Sequence, residues 1–281
     1  MTTQRDTVVQ DGHRISYLHA GPVDGPAVLL VHGLVSDATT WTRALDELVG
    51  RGLRVIAPDL LGHGQSDKPA DGYGLAHFAE SMSDLLRSLA ADPATVVGHS
   101  YGGAVAMQVA HAHPEQVERL VLVAAGGLGR QVHPILRAAS LPGADRVLGL
   151  MVNRQTAAFY RDPRLHRQLR LSPDAIANLG RAGGGLVSAS GRSAFFATLR
   201  SAINPQGQLG SMLELDYVDL DLPTLIVWSE HDPVLPVAHA RATHAYLRNS
   251  RLEIFPGTTH QPHHHSARRF VDAVEDLIRT T

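Results

Sequence analysis

The octet Val96-Val97-Gly98-His99-Ser100-Tyr101-Gly102-Gly103 places a serine between two glycines, each two positions away. A serine hydroxyl is a poor nucleophile unless it is held in the open with a base in reach. A sharp turn from strand to helix exposes it, and such a turn tolerates only small residues two positions either side, where a Cβ would clash. Gly98 and Gly102 fill those places. A five-residue pattern with two glycines also occurs as a plain turn. Here the apolar run Thr95–His99 before it and the alanine-rich segment after it supply the strand and the helix that the nucleophilic reading requires. A helix starting after Ser100 would aim free N–H groups and its positive dipole end at the place where an oxyanion forms.

The rest of the chain supplies elements that can carry such a turn. Thr7–Gln10 and Ile15–Ala20 are β-prone runs about Asp11-Gly12, a dipeptide suited to a tight hairpin. Apolar runs then alternate with helix-like segments: Ala27–His32, Leu53–Pro58, Thr95–His99, Val117–Ala124, Pro223–Trp228 and Arg251–Phe255. Unbroken Val/Ile/Leu runs are what strands need when helices cover both sheet faces. Leu75–Ala90 and Ala104–His113 carry helical spacing. Phe270, Val271, Val274, Leu277 and Ile278 form one apolar stripe near the end. Strand and helix in alternation predict a doubly wound, mostly parallel α/β sheet. From about Gly126 to Tyr217 the alternation stops. That stretch holds helical fragments such as Pro173–Leu179 and Ser193–Ile203, the triplet Gly183-Gly184-Gly185, and no convincing strand. The expected organisation is an α/β core of residues 1–125 and 218–281 with a helical lid inserted at 126–217.

With these motifs in place the sequence resembles the α/β-hydrolase superfamily over nearly its whole length. His32-Gly33-Leu34 resembles the loop that forms half of the family's oxyanion hole, and Asp59–Asp67 resembles the loop after the next strand. The resemblance implies that the backbone N–H groups of Leu34 and Tyr101 are the oxyanion donors. The family's order of nucleophile, acid and base implies Asp232 as the acid after the strand Leu225-Ile226-Val227-Trp228, with Glu230 as the rival carboxylate. It implies His260 as the general base after the last strand. His263, His264 and His265 lie just beyond, with His263 the competing base and a polar helix start the plainer reading. Adjacent histidines point in different directions, so three of them in a row do not make a catalytic metal site. Neither a metal nor a cofactor is expected.

Relatives that attack with aspartate, the epoxide hydrolases and haloalkane dehalogenases, are disfavoured by Ser100 itself. The expected reaction is hydrolysis of a carboxylic ester, lactone or thioester through an acyl-enzyme. Lid residues such as Leu150, Met151, Phe159, Phe195 and Phe196 would shape the pocket, unless they simply pack the lid. Gly126-Gly127-Leu128-Gly129 resembles the start of the lid in hydrolases that cleave carbon–carbon bonds of aromatic ring-fission products, with Arg181 placed to bind a substrate carboxylate. That match is partial, because His99, Tyr101 and Gln261 stand where the subfamily has asparagine, methionine and tryptophan. A vinylogous diketone acid is therefore the alternative substrate. His32 and Phe195 are further candidate substrate contacts. A ligand-binding receptor that kept the fold is the reading from another class.

Composition narrows the partners. The 281 residues carry a net charge of −2, with 44% hydrophobic and 19% charged residues. Such a balance leaves no electrostatic footprint for nucleic acid or an anionic membrane, so a small-molecule substrate is expected. With no cysteine, thiolate catalysis and disulfides are excluded. Met1 to Gly12 lacks the apolar stretch of a secretory signal, and no run of about 18 apolar residues occurs. The default expectation is a cytoplasmic location. Oligomeric state is not legible.

Overall fold

The computed structural model describes residues 2–152, 156, 185–209, 221–257 and 260–281. The chain opens with an antiparallel pair, β1 (Gln4–Gln10) and β2 (His13–Ala20), turned at Asp11 and Gly12, both with positive φ. The remaining strands of the main sheet are β3 (Ala27–Val31), β4 (Arg54–Pro58), β5 (Ala94–His99) and β6 (Val117–Val123), then two strands late in the chain. A short hairpin, β7 (Ile203–Asn204) and β8 (Gly207–Gln208), precedes those two, β9 (Thr224–Ser229) and β10 (Ser250–Phe255). The eight-stranded order is β1-β2-β4-β3-β5-β6-β9-β10, antiparallel through β2 and β4 and parallel from there on. This is the α/β-hydrolase arrangement that the sequence predicts.

Side chains alternate along each strand and bury on both faces, as parallel strands require. Val28 and Leu30 pack beneath α1 (Thr42–Gly50) and the C-terminal helix, against Leu45, Phe270 and Val274. Leu29 and Val31 pack on the opposite side, against α2 (Leu75–Ser88) and α3 (Tyr101–Ala112), with Phe78, Met82 and Val105.

Between β6 and β9 the described chain forms α4 (Pro134–Ala139), α5 (Ala144–Met151) and α6 (Ala189–Ala202) and the β7–β8 hairpin. The hairpin corrects the expectation of no strand in this segment. Its signal was present: Asn204-Pro205-Gln206-Gly207 is turn chemistry, with the Asn204 side chain accepting from the Gln206 N–H. After β9 come α7 (Val237–Tyr246), a one-turn α8 (Pro262–His265) and α9 (Ala267–Thr280). α1 and α7 are helices that the pattern did not single out. Arg181, Phe159 and Pro173–Leu179 lie outside the described residues. Among the described residues no helix is long and apolar enough to cross a membrane.

Candidate active site

Ser100 sits between β5 and α3 with φ 54° and ψ −122°. That conformation is costly for a residue with a Cβ and persists only where the surroundings enforce it. The enforcement is steric. A Cβ on Gly98 would lie 2.2 Å from the Gly102 carbonyl oxygen, and one on Gly102 would lie 2.3 Å from that of Val31. The two glycines therefore let the incoming strand, the outgoing helix and β3 meet at one point, with Ser100 at the bend. Its backbone is held on both sides: the N–H donates to the Val123 carbonyl, and the carbonyl accepts from Gly103 and Gly126.

Asp232 lies in the loop after β9 and His260 in the loop after β10. The structure brings both to the serine. His260 Nε2 is 2.9 Å from Ser100 Oγ and its Nδ1 is 2.8 Å from Asp232 Oδ2. The other carboxylate oxygen, Oδ1, accepts from the Val234 and Leu235 N–H groups at 2.7 and 3.0 Å. Trp228 locks that loop by donating its indole N–H to the Leu235 carbonyl. Burial pushes the Asp232 carboxyl up, but the His260 contact and the two backbone donors outweigh it and hold the group below its ordinary value. A carboxylate kept ionised fixes Nδ1 of His260 as the donor and leaves Nε2 to accept the serine proton. Glu230, the rival, has a side chain about half exposed, turned to solvent one position past the strand.

His263, the competing base, is fully buried. It stacks on Trp41 at 4.2 Å and His99 at 4.5 Å between ring centroids. The polar helix start expected at 263–265 is thus half wrong: His263 and His264 face inward and only His265 is exposed. His99 packs beside the base at 4.9 Å and donates Nε2–H to the His260 carbonyl at 2.8 Å. Burial, and then the neighbouring His260, push His99 down to about 3, so a neutral ring supports the base without a competing charge. Among the described residues no group of three or more histidines and carboxylates is placed to hold a metal.

Leu34 and Tyr101 line one cavity with Ser100, of about 90 Å³. Gly33 brings the Leu34 loop close, since a Cβ there would lie 2.9 Å from that of Ser100. Tyr101 opens α3, so its N–H has no acceptor within the helix. The phenol of Tyr101 is buried and pushed up to about 12. The remaining wall is largely apolar, with Val132, Leu136, Ile203 and Leu235, and the described lining carries no charged side chain.

Two expected substrate contacts are placed elsewhere. His32 is fully buried, with Nδ1 donating to the Gly33 carbonyl and Nε2 accepting from the Leu60 N–H. Both nitrogens are spent on joining the loops after β3 and β4. Phe195 packs against Phe196 and borders a different cavity. Leu150 and Met151 are 79% and 57% exposed and do not line the Ser100 cavity.

The sequence reading missed Gln208. Its Oε1 accepts from Gly127 N–H at 2.8 Å, its amide donates to the Gly129 carbonyl, and its backbone N–H donates to Arg130. It borders the Ser100 cavity and ties the hairpin to the glycine-rich loop whose Gly126 holds the Ser100 carbonyl.

Comparison with known proteins agrees with this fold. The family described as alpha/beta hydrolase fold matches residues 26–266. An uncharacterised protein of Mycobacterium tuberculosis is 40% identical over 96% of this chain and 80% of its own. The 2-hydroxymuconate semialdehyde hydrolase of Pseudomonas putida is 30% identical over 80% of this chain and 76% of its own. The crystal structure of an esterase from a Rhodococcus species superposes with a TM-score of 0.72 at 26% identity, covering 100% of this chain and 99% of that one.

Proposed function

We infer the reaction from one premise: the chain belongs to the alpha/beta hydrolase family and is a hydrolase enzyme. We propose that it cleaves a carboxylic ester, lactone or thioester with an uncharged acyl group through an acyl-enzyme on Ser100. The observation that carries this reading is the continuous hydrogen-bonded chain from Ser100 Oγ through His260 to Asp232. His260 Nε2 takes the hydroxyl proton as Oγ attacks the carbonyl carbon. The carbonyl electrons move to oxygen, and the N–H groups of Leu34 and Tyr101 receive that oxyanion, each worth about 3–4 kcal/mol of barrier in comparable sites. Collapse expels the alcohol or thiol, which takes the proton from His260. Water activated by the same histidine then releases the acid and restores Ser100. The segment at 126–217 acts as the lid over this site, with the Gln208 hairpin as its anchor.

A second reading has one specific support, the Pseudomonas putida relative named for hydrolysis of 2-hydroxymuconate semialdehyde. Carbon–carbon hydrolysis of a diketone acid would need a cation for the carboxylate. The cation expected for it, Arg181, lies outside the described residues; the ester reading stands first because the described wall of the Ser100 cavity is largely apolar. The test is p-nitrophenyl butyrate hydrolysis with its pre-steady-state burst, for the wild type and Ser100→Ala. Activity in the wild type and its loss in Ser100→Ala by at least about 10⁴-fold is expected. An inert wild type that turns over a vinylogous diketone acid would shift the assignment to the second reading.

A further inference from the structure

Ser100 and His260 are 160 residues apart, and the sheet does not join them. The strand order places β6 and β9 between β5, which carries Ser100, and β10, which leads to His260. Asp232 follows β9, and β9 pairs with β10 along its whole length, so the ladder sets the acid against the base. No ladder bond sets the base against the nucleophile. Among the described residues the His260 main chain makes no hydrogen bond to another main-chain group either. The contact that spans the gap comes from His99, the residue before the nucleophile, whose Nε2 is 2.8 Å from the His260 carbonyl. A carbonyl can only accept, so Nε2 carries the hydrogen.

His99 is 3% exposed and is enclosed on its other sides. His263 stacks on it at 4.5 Å, and Trp41 meets it edge-on at 6.4 Å between ring centroids. Trp41 and His263 both rest against Phe270 of α9, at 6.1 and 6.2 Å. Toward the oxyanion loop, a Cβ on Gly33 would come within 3.3 Å of His99 Nδ1. Packing this close leaves the ring little room to swing, so its N–H is a fixed point for whatever it holds. His99 does not line the Ser100 cavity and so touches the base rather than the substrate. We propose that His99 is a positioning residue: it clamps the His260 backbone to the nucleophile's own strand and thereby sets the distance from Nε2 to Ser100 Oγ. The Asp232 contact fixes the tautomer and tilt of the imidazole, whereas the clamp fixes how far the ring stands from the hydroxyl. A misplacement of about 1 Å at such a point costs on the order of 10²-fold in rate. This deepens the acyl-enzyme reading and rests on it.

The test compares the full-length wild type with His99→Phe, His99→Asn and His99→Gln. Phe keeps a ring but no donor, Asn carries an amide too short to reach the carbonyl, and Gln returns an N–H close to the place of Nε2. Asn repeats the loss of the donor should Phe fail to fold. The rate of Ser100 phosphonylation by a fluorophosphonate and the turnover of p-nitrophenyl butyrate are measured where each variant is folded by circular dichroism. Phe and Asn should slow phosphonylation by at least about tenfold, with kcat falling by a similar factor and KM within about twofold of the wild type. Gln should recover the phosphonylation rate to within about threefold. Wild-type rates in Phe and Asn overturn the proposal even if their melting midpoints drop, since His99 would then serve stability alone. A loss that Gln does not restore, or a change confined to KM, overturns it as well. A wild type that is phosphonylated yet inert on the ester refutes the ester reading alone, and the phosphonylation ratios still judge the clamp. A wild type that is not phosphonylated removes Ser100 as the nucleophile and the clamp with it.

Discussion

The strand ends that carry the catalytic residues and the described residues between β6 and β9 hold their side chains by different means. Ser100, Asp232 and His260 hang from the ends of β5, β9 and β10, and their polar atoms have assigned partners. Asp232 has three donors and His260 a contact at each ring nitrogen, with its carbonyl held by His99. Among the described residues between β6 and β9, Ile135, Val147, Leu150 and Met151 are more than half exposed. Attachment to the core runs through the buried face of α6, with Ala194, Phe196 and Leu199, and through the side-chain amide of Gln208. Strand ends fix backbone positions through the sheet ladder, so chemistry is built on them. The described residues between β6 and β9 are held by side-chain packing and the Gln208 contacts rather than by the ladder of the main sheet, so they are where specificity can change at little cost to the fold.

The contrast can be broken at several points. Asp232→Asn should have the largest effect, lowering kcat/KM by about 10⁴-fold with the fold intact, because an amide no longer fixes the His260 tautomer. A loss below about tenfold would mean that the carboxylate is structural. Acid is the next lever. His63 and His99 bind a proton only near pH 3 when folded and near 6.5 when unfolded. In that window the unfolded chain holds more protons, so stability falls as pH drops, by up to about 1.4 kcal/mol per pH unit for each histidine. The urea midpoint should therefore be lower at pH 5 than at pH 7, and an unchanged midpoint would show that these rings are solvated.

Gln208→Leu should cost less. It strands the Gly127 N–H and the Gly129 carbonyl at about 1–3 kcal/mol each, so a lower melting midpoint and a fall in kcat/KM of about tenfold are expected. Wild-type kinetics in that variant would detach the hairpin from the site. Leu150→Gln should have the smallest effect, within about 0.5 kcal/mol in stability and with unchanged turnover. A changed KM there would return Leu150 to the pocket.

The same division governs what was legible in the sequence. Gly98 and Gly102 could be read because a Cβ at either place would clash, and they mark Ser100 between them as the residue at the bend. Asp232 and His260 followed from strand ends and from the order of the resembling family. His32 was read as a substrate contact because its motif is local, whereas its role depends on Leu60, which comes within reach only once β3 and β4 pair. Phe195 is buried, as helical spacing implies, but that spacing does not say which cavity its face borders. Gln208 left only a turn signal in Asn204-Pro205-Gln206-Gly207, and its partners lie some eighty residues earlier.

The central claim, a covalent acyl group on Ser100, is tested most directly by mass spectrometry of the wild type quenched in acid during turnover of p-nitrophenyl butyrate. A butyryl group on the peptide containing Ser100, absent from Ser100→Ala, is the expected result. Burst release of p-nitrophenol with the acyl group on another residue, or turnover with no adduct and no burst, would contradict the account.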